Sequence, residues 1–289
     1  MTVARQSPDG SDFTAAVTRQ DIVLPAMLAA LLLALFLYQG FDIGLSAYFF
    51  DPASGRFPLE HDWWHEKLLH ADVKQGVRRI VILMGLAFIA SLVVARLKPY
   101  RRLLLFVVAA SLLSASVVST FKNASYQACP FSLIQFGGNR PYIGPFDPVP
   151  ADIGLGRCSP GGHAASAFSL FPLYFAARHL RRRRLATGMF WFVMLFGLLL
   201  TYVQVARGMH LFSHQIWTAL ICWYVSLATY RLFFLTGNRR GNKEDGYPVP
   251  VAGHWIPATG HAVPPAPTFP AGLTPPLRRA PAGRRDSLT

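Results

Sequence analysis

Charge is scarce in this chain of 289 residues, and acidic charge is scarcest. Charged residues make up 15%, with 14 Asp and Glu against 28 Lys and Arg. An ordinary soluble domain carries about 25% charged residues. That shortage, beside 52% apolar residues, excludes a disordered chain and argues against a simple soluble globule. Cysteine is rare as well. Cys129, Cys158 and Cys222 form no CxxC pair, which excludes a paired-cysteine zinc site. No cleavable leader is legible, because the first apolar run is long and no small-residue cleavage site follows it. No nucleic-acid-binding motif and no internal repeat stands out.

Long apolar runs are what the chain has instead. A spanning helix needs roughly 20 mostly apolar residues. Six stretches qualify: 22–40, 80–95, 103–121, 164–177, 186–206 and 216–235. The fourth is the weakest, being short and interrupted by Ser and Pro172. Basic residues cluster after the second, fourth and sixth stretches: Arg96, Lys98, Arg101 and Arg102; Arg178 and Arg181 to Arg184; Arg239, Arg240 and Lys243. The first connection is mixed, with Asp42, Asp51, Glu60, Asp62 and Glu66. The positive-inside rule therefore predicts an all-α, six-transmembrane-helix bundle with both termini cytoplasmic. Connections one, three and five then face outward. The net charge of +14 is explained by topology and anionic lipid, without nucleic acid.

Residues 1–20 read as a polar tail, 21–237 as the membrane domain, and 238–289 as a Pro- and Arg-rich disordered cytoplasmic tail. Ten of the 22 prolines fall in that last segment, which has too little apolar surface to offset its ordering entropy. Cys222 lies within the sixth stretch and reads as a small buried apolar residue. Cys129 and Cys158 lie in the outward third connection, where an oxidising compartment permits a disulfide around Arg140; two reduced thiols are the alternative. His61, His65 and His70, with Trp63 and Trp64, read as an interfacial aromatic segment of the first connection. His179, His254 and His261 suggest no chemistry.

Ionisable residues at a membrane boundary are costly and point to function. Topology brings one set to the outer level: Lys122 after the third stretch, Arg140-Pro141 in the next connection, Pro160-Gly161-Gly162-His163 before the fourth, and Arg207, His210 and His214 after the fifth. If the fifth helix continues, the last three share a face at i, i+3 and i+7. A helix starting after Gly161-Gly162 offers backbone N–H groups and a positive dipole end to an anion. Lys and Arg suit phosphate oxygens, and two histidines suit a nucleophile and a general acid. The His210–His214 pair also fits zinc spacing, but Leu211 stands where the metalloprotease motif places Glu.

In this order the residues resemble the type 2 phosphatidic acid phosphatase superfamily, membrane lipid phosphatases related to vanadium haloperoxidases. The family pattern is Lys-x6-Arg-Pro, Pro-Ser-Gly-His and Ser-Arg-x5-His-x3-Asp. The resemblance covers roughly residues 75–235. It implies that His210 is the nucleophile, forming a phosphohistidine, and that His163 is the general acid. Lys122, Arg140, Arg207, Gly161 and Gly162 would bind phosphate, with no metal and no cofactor. The departures are specific. Seventeen residues separate Lys122 from Arg140, Gly161 replaces the family Ser, Gln204 holds the family Arg position, and His214 replaces the Asp. A neutral His214 can accept the nucleophile's hydrogen bond but brings no negative charge. Asp147 and Asp152 are alternative sources of that charge.

The expectation is a metal-independent phosphoric monoester hydrolase of the bacterial inner membrane with a periplasm-facing site. Phosphatidic acid, phosphatidylglycerol phosphate, polyprenyl diphosphate and lipid A all fit as substrates. Two alternatives stay open: a lipid-to-lipid phosphotransferase, and a non-catalytic lipid-phosphate-binding protein.

Overall fold

The computed structural model describes residues 18–38, 40–63 and 73–235. The chain divides into two units, Met1–Lys243 and Glu244–Thr289, and the second lies wholly outside the described residues. The expected tails therefore lie outside them too, apart from residues 18–20. So do Trp64, His65, His70, His254 and His261.

The described residues form eight α-helices: α1 (Arg19–Tyr38), α2 (Phe41–Tyr48), α3 (Val73–Val93), α4 (Arg101–Asn123), α5 (Ala164–Phe168), α6 (Phe171–His179), α7 (Arg183–Ala206) and α8 (Phe212–Phe234). They contain no β-strand beyond two isolated bridges. Five of them, α1, α3, α4, α7 and α8, are long and apolar enough to cross a membrane. The fourth apolar stretch departs from expectation, because it breaks into α5 and α6 instead of forming one helix. Pro172 is the physical reason. It has no N–H for the Phe168 carbonyl one turn back, and its ring crowds that carbonyl. Ser169 and Leu170 close the first piece through N–H bonds to Ala165 and Ala167 at 2.8 and 3.0 Å. The break is sheltered, since Ala164, Ala165, Ala167, Phe168, Leu170 and Phe171 are all buried. Irregular backbone at membrane depth is tolerated where protein covers it.

α8 packs against α4, α1, α5 and α6, and α7 closes over α5 and α6. The peripheral helices are α1 and α3, with 17% and 11% of their apolar windows buried, against 39–44% for α4, α7 and α8. Their exposed faces carry Leu24, Leu28, Leu31, Leu83, Leu86 and Ile89, the side chains expected against lipid tails. Helices in lipid gain little from the hydrophobic effect and depend on packing. Here aromatic rings supply it. Trp223 meets Phe171 at 5.2 Å and Phe175 at 5.1 Å, and Tyr230 meets Phe106 at 5.6 Å. Such pairs contribute about 0.5–1.5 kcal/mol each beyond area burial.

The two ends of the bundle differ. At one pole Arg178 pairs with Asp21 at 2.7 Å, the indole of Trp223 donates to the Asp21 carbonyl at 2.9 Å, and Arg102 donates to the Phe233 carbonyl. At the other pole the first, third and fifth connections converge. The Phe57 ring meets Phe50 and Phe136 at 5.3 and 5.4 Å, and the Phe131 N–H donates to the Gly208 carbonyl at 3.0 Å. The chemistry-bearing residues gather at this second pole.

Candidate active site

The site begins where α7 ends. Gly208 adopts φ +68°, the left-handed conformation, and its N–H donates to the Val205 carbonyl at 2.9 Å. The Met209 N–H donates to the Gln204 carbonyl at 2.9 Å, and the His210 N–H joins it at 3.2 Å. This is a Schellman stop, which satisfies the last helical carbonyls and turns the chain. A Cβ at position 208 would lie 2.3 Å from the Phe57 ring, so the first connection seats on this glycine. The expected continuous helix through Arg207, His210 and His214 is therefore replaced by a sharp turn. His210 sits in that turn, 3% exposed, and His214 lies in the first turn of α8.

The start of α8 is held by a residue that the sequence places in a loop. Asp42 of α2 is buried, 1% exposed, and accepts the Ser213 N–H at 3.1 Å. It acts as a helix cap supplied from a distant segment. Burial raises its pKa above the usual carboxylate value, and the bonds from Ser213 and Phe212 oppose that shift.

The Pro160-Gly161-Gly162-His163 segment is stapled to the same turn of α8. The Gly161 N–H donates to the His214 carbonyl at 3.2 Å. The Thr218 hydroxyl bonds to the carbonyls of Gly161 and His214 at 3.1 and 2.8 Å. The expected anion site at a helix N-terminus does not form as drawn. α5 is only five residues long, and the Gly161 N–H is already spent on His214. Lys122, at the end of α4, does reach this segment: its Nζ lies 3.6 Å from where a Cβ on Gly162 would stand.

The third connection closes over the histidines. Gly156 and Arg157 N–H groups donate to the Ser125 carbonyl at 3.0 and 2.9 Å, and the Cys158 N–H donates to Gln127 at 3.1 Å. Cys129 and Cys158 are joined, with S–S 2.02 Å. The Sγ of Cys158 lies 3.3 Å from Nδ1 of His210. A disulfide sulfur carries no proton, so a bond there takes Nδ1–H as donor and leaves the lone pair on Nε2.

The rings of His163 and His210 are 6.4 Å apart, and those of His210 and His214 are 5.9 Å apart. Burial holds the His210 imidazole well below its usual range, and His214, Lys122 and His163 push the same way; a bond with the Cys158 backbone opposes them. His210 is thus kept neutral. His214 is fully buried and neither ring nitrogen has a hydrogen-bond partner among the described residues, so it does not accept one from His210. Asp147 caps its own loop by accepting the Gly144 N–H at 2.7 Å, and Asp152 is exposed.

The two arginines hold the surrounding loops. Arg140 donates to the Gly154 carbonyl at 3.1 Å, and its backbone pairs with Ser132 and Ile134, which folds the long interval after Lys122 back on itself. The buried Arg207 donates through Nε to the Glu60 carbonyl at 3.0 Å. Sequence reasoning brings Lys122, Arg140, Gly161, Gly162, His163, Arg207, His210 and His214 to one level, and in the structure the two arginines bond to loop carbonyls there. It misses Asp42, Thr218, Gln215 and the contact of Cys158 with His210. The spacing of Thr218, one turn after His214, is the one local signal available.

Five helices are long and apolar enough to cross a membrane, and the buried His210 and His214 lie near Lys122 at one pole of the bundle. Residues 102–237 match the family model of the PAP2 superfamily. The match runs from α4 past α8, and of the site residues named above it leaves out Asp42, Phe57 and Glu60. No curated protein and no solved structure matches the chain.

Proposed function

We propose that the protein is a metal-independent lipid phosphatase, acting on a phosphate monoester or diphosphate at the outer face of a bacterial inner membrane. The chain crosses six times, the fourth crossing being the protein-enclosed α5–α6 pair, and both termini are cytoplasmic. Support for this orientation comes from the two poles. The basic residues Arg101, Arg102, Arg178 and Arg181 to Arg184 flank the pole opposite the histidines. Lipid phosphates then lie at the level of Lys122 while their acyl chains stay in the bilayer.

The observation that carries the reading is the neighbouring pair His163 and His210, with ring centroids 6.4 Å apart, near Lys122. Nε2 of neutral His210 attacks phosphorus with its lone pair. The bond from phosphorus to the lipid oxygen breaks with its electrons on that oxygen, and protonated His163 gives it a proton. Water then attacks the phosphohistidine and passes a proton to His163. The P–N bond breaks, returning its electrons to Nε2, and inorganic phosphate leaves. Lys122 neutralises the phosphoryl oxygens, with Gly161 and Gly162 lining the approach. Arg140 and Arg207 add positive field from the loops they hold, and His214 backs the nucleophile as a buried neighbour.

The test is phosphate release from a panel of lipid phosphates by purified protein in detergent with EDTA. The expected result is release by wild type, an acid-labile phosphoenzyme, and loss of both in His210→Ala. Release that needs added metal ion, or that survives in His210→Ala, refutes the mechanism. Phosphate passed only to an added acceptor lipid makes the protein a transferase.

A further inference from the structure

Gln215 follows His214 in the first turn of α8 and is 2% exposed. Neither its Oε1 nor its Nε2 has a hydrogen-bond partner among the described residues, although both atoms are buried. Buried amides in native proteins are almost always bonded, so a free one in a site marks a place for a ligand. Its position is defined by Gly161. A Cβ built on Gly161 would lie 2.1 Å from Oε1 and 2.5 Å from Nε2 of Gln215. The carboxamide therefore occupies the space that any side chain at position 161 would fill.

The backbone on both sides of it is pinned. The Gly161 N–H is bonded to the His214 carbonyl, and Thr218 bonds to both carbonyls, so the loop and the helix turn move as one piece. His163 follows two residues after Gly161, and Lys122 stands against Gly162. The amide beside them has two N–H donors that are unbonded among the described residues.

We infer that Gln215 is a phosphate-binding residue, its Nε2 donating to a non-bridging phosphoryl oxygen. The inference rests on the phosphatase reading above. It also gives Gly161 a reason. The resembled motif has a serine hydroxyl at this point, and here the donor comes from α8, which requires glycine on the facing loop. In this chain glycine at 161 is what leaves room for the carboxamide at 215.

The experiment compares Gln215→Leu, Gln215→Glu, Gly161→Ser and the double variant Gly161→Ser/Gln215→Ala with wild type. It measures inhibition by inorganic phosphate, kcat and KM on a lipid phosphate, and thermal melting. Gln215→Leu is expected to melt like wild type and to weaken phosphate inhibition and kcat/KM roughly 10- to 100-fold. Gln215→Glu, of the same shape, is expected to lose more, because its carboxylate repels the phosphate. A merely structural role predicts instead that any loss of activity is matched by a lower melting temperature, in Gln215→Leu as in Gln215→Glu. The double variant is expected to recover at least roughly tenfold in kcat/KM over Gly161→Ser alone. Wild-type phosphate affinity in Gln215→Leu and Gln215→Glu overturns the inference, as does a double variant no better than Gly161→Ser. Wild-type protein that neither releases phosphate nor is inhibited by it overturns the functional reading, and this inference with it.

Discussion

Breaking the Cys129–Cys158 bridge should damage both stability and catalysis, by separate routes. The bridge closes a loop with a sequence separation of 29 residues. Chain-entropy bookkeeping for a loop of that length gives about 3.5 kcal/mol. For a domain of this size, that corresponds to a loss of roughly 10 °C in melting temperature. The catalytic effect follows from position. Cys158 Sγ lies 3.3 Å from Nδ1 of His210, and the segment carrying it is bonded to Gln127. Without the bridge the segment carrying Cys158 is no longer tied to Cys129, and the contact that orients the imidazole is loosened. A displacement of about 1 Å at a reacting group costs on the order of 100-fold in rate. The assay uses protein from an oxidising compartment, with the bridge verified by non-reducing peptide mapping. Cys129→Ala/Cys158→Ala and thiol-reduced wild type are compared with untreated protein for phosphate release and melting. Turnover is expected to fall roughly 10- to 100-fold, with a smaller change in KM. Turnover within about twofold of the untreated protein, at unchanged melting temperature, refutes the reasoning.

Three further outcomes are expected. The acid limb of kcat/KM should fall below the usual histidine value of 6.5, since His210 stays neutral to lower pH; a midpoint at or above 6.5 contradicts its assignment. The same shift makes unfolded His210 bind a proton that the folded protein refuses, so its stability cost is absent above about pH 6.5 and grows as pH falls toward the folded value. Melting between about pH 7.5 and 5.5 should show that decline, and His210→Gln should flatten it. Gly208→Val should cost about 2–5 kcal/mol, combining left-handed strain and collision with Phe57, and should show as a lower melting temperature and weaker activity. Asp42→Ala should cost about 1 kcal/mol by uncapping α8, whereas Asp42→Asn, which keeps an acceptor for Ser213, should cost less; equal effects in a denaturation series would remove the capping role.

Much of the protein is legible along the chain because the relevant signals are local. Apolar runs declare helices long enough for a membrane, and arginine clusters between them declare a polarity. The residue types Lys122, His163 and His210, in their order, are enough to suggest phosphoryl chemistry. Even the break in the fourth stretch is written in Pro172, whose effect acts over a single turn. The same is true of Gly208, a glycine after a helix that ends it, although the histidine spacing beyond it suggests a continuous face.

What the tertiary structure decided depends on groups distant in sequence. Asp42 carries no mark that separates it from the acidic residues of the first connection; burial against α8, 171 residues away at Ser213, makes it a cap. Gly161 reads as a lost hydroxyl until the amide of Gln215 is found in its place. The carboxylate that the resembled motif sets behind the nucleophile is absent, and Cys158 stands at Nδ1 instead. Periodicity and hydropathy describe how a segment relates to water or lipid. They carry no information on which segment will approach it, because that is set by packing of the whole bundle within a few ångströms.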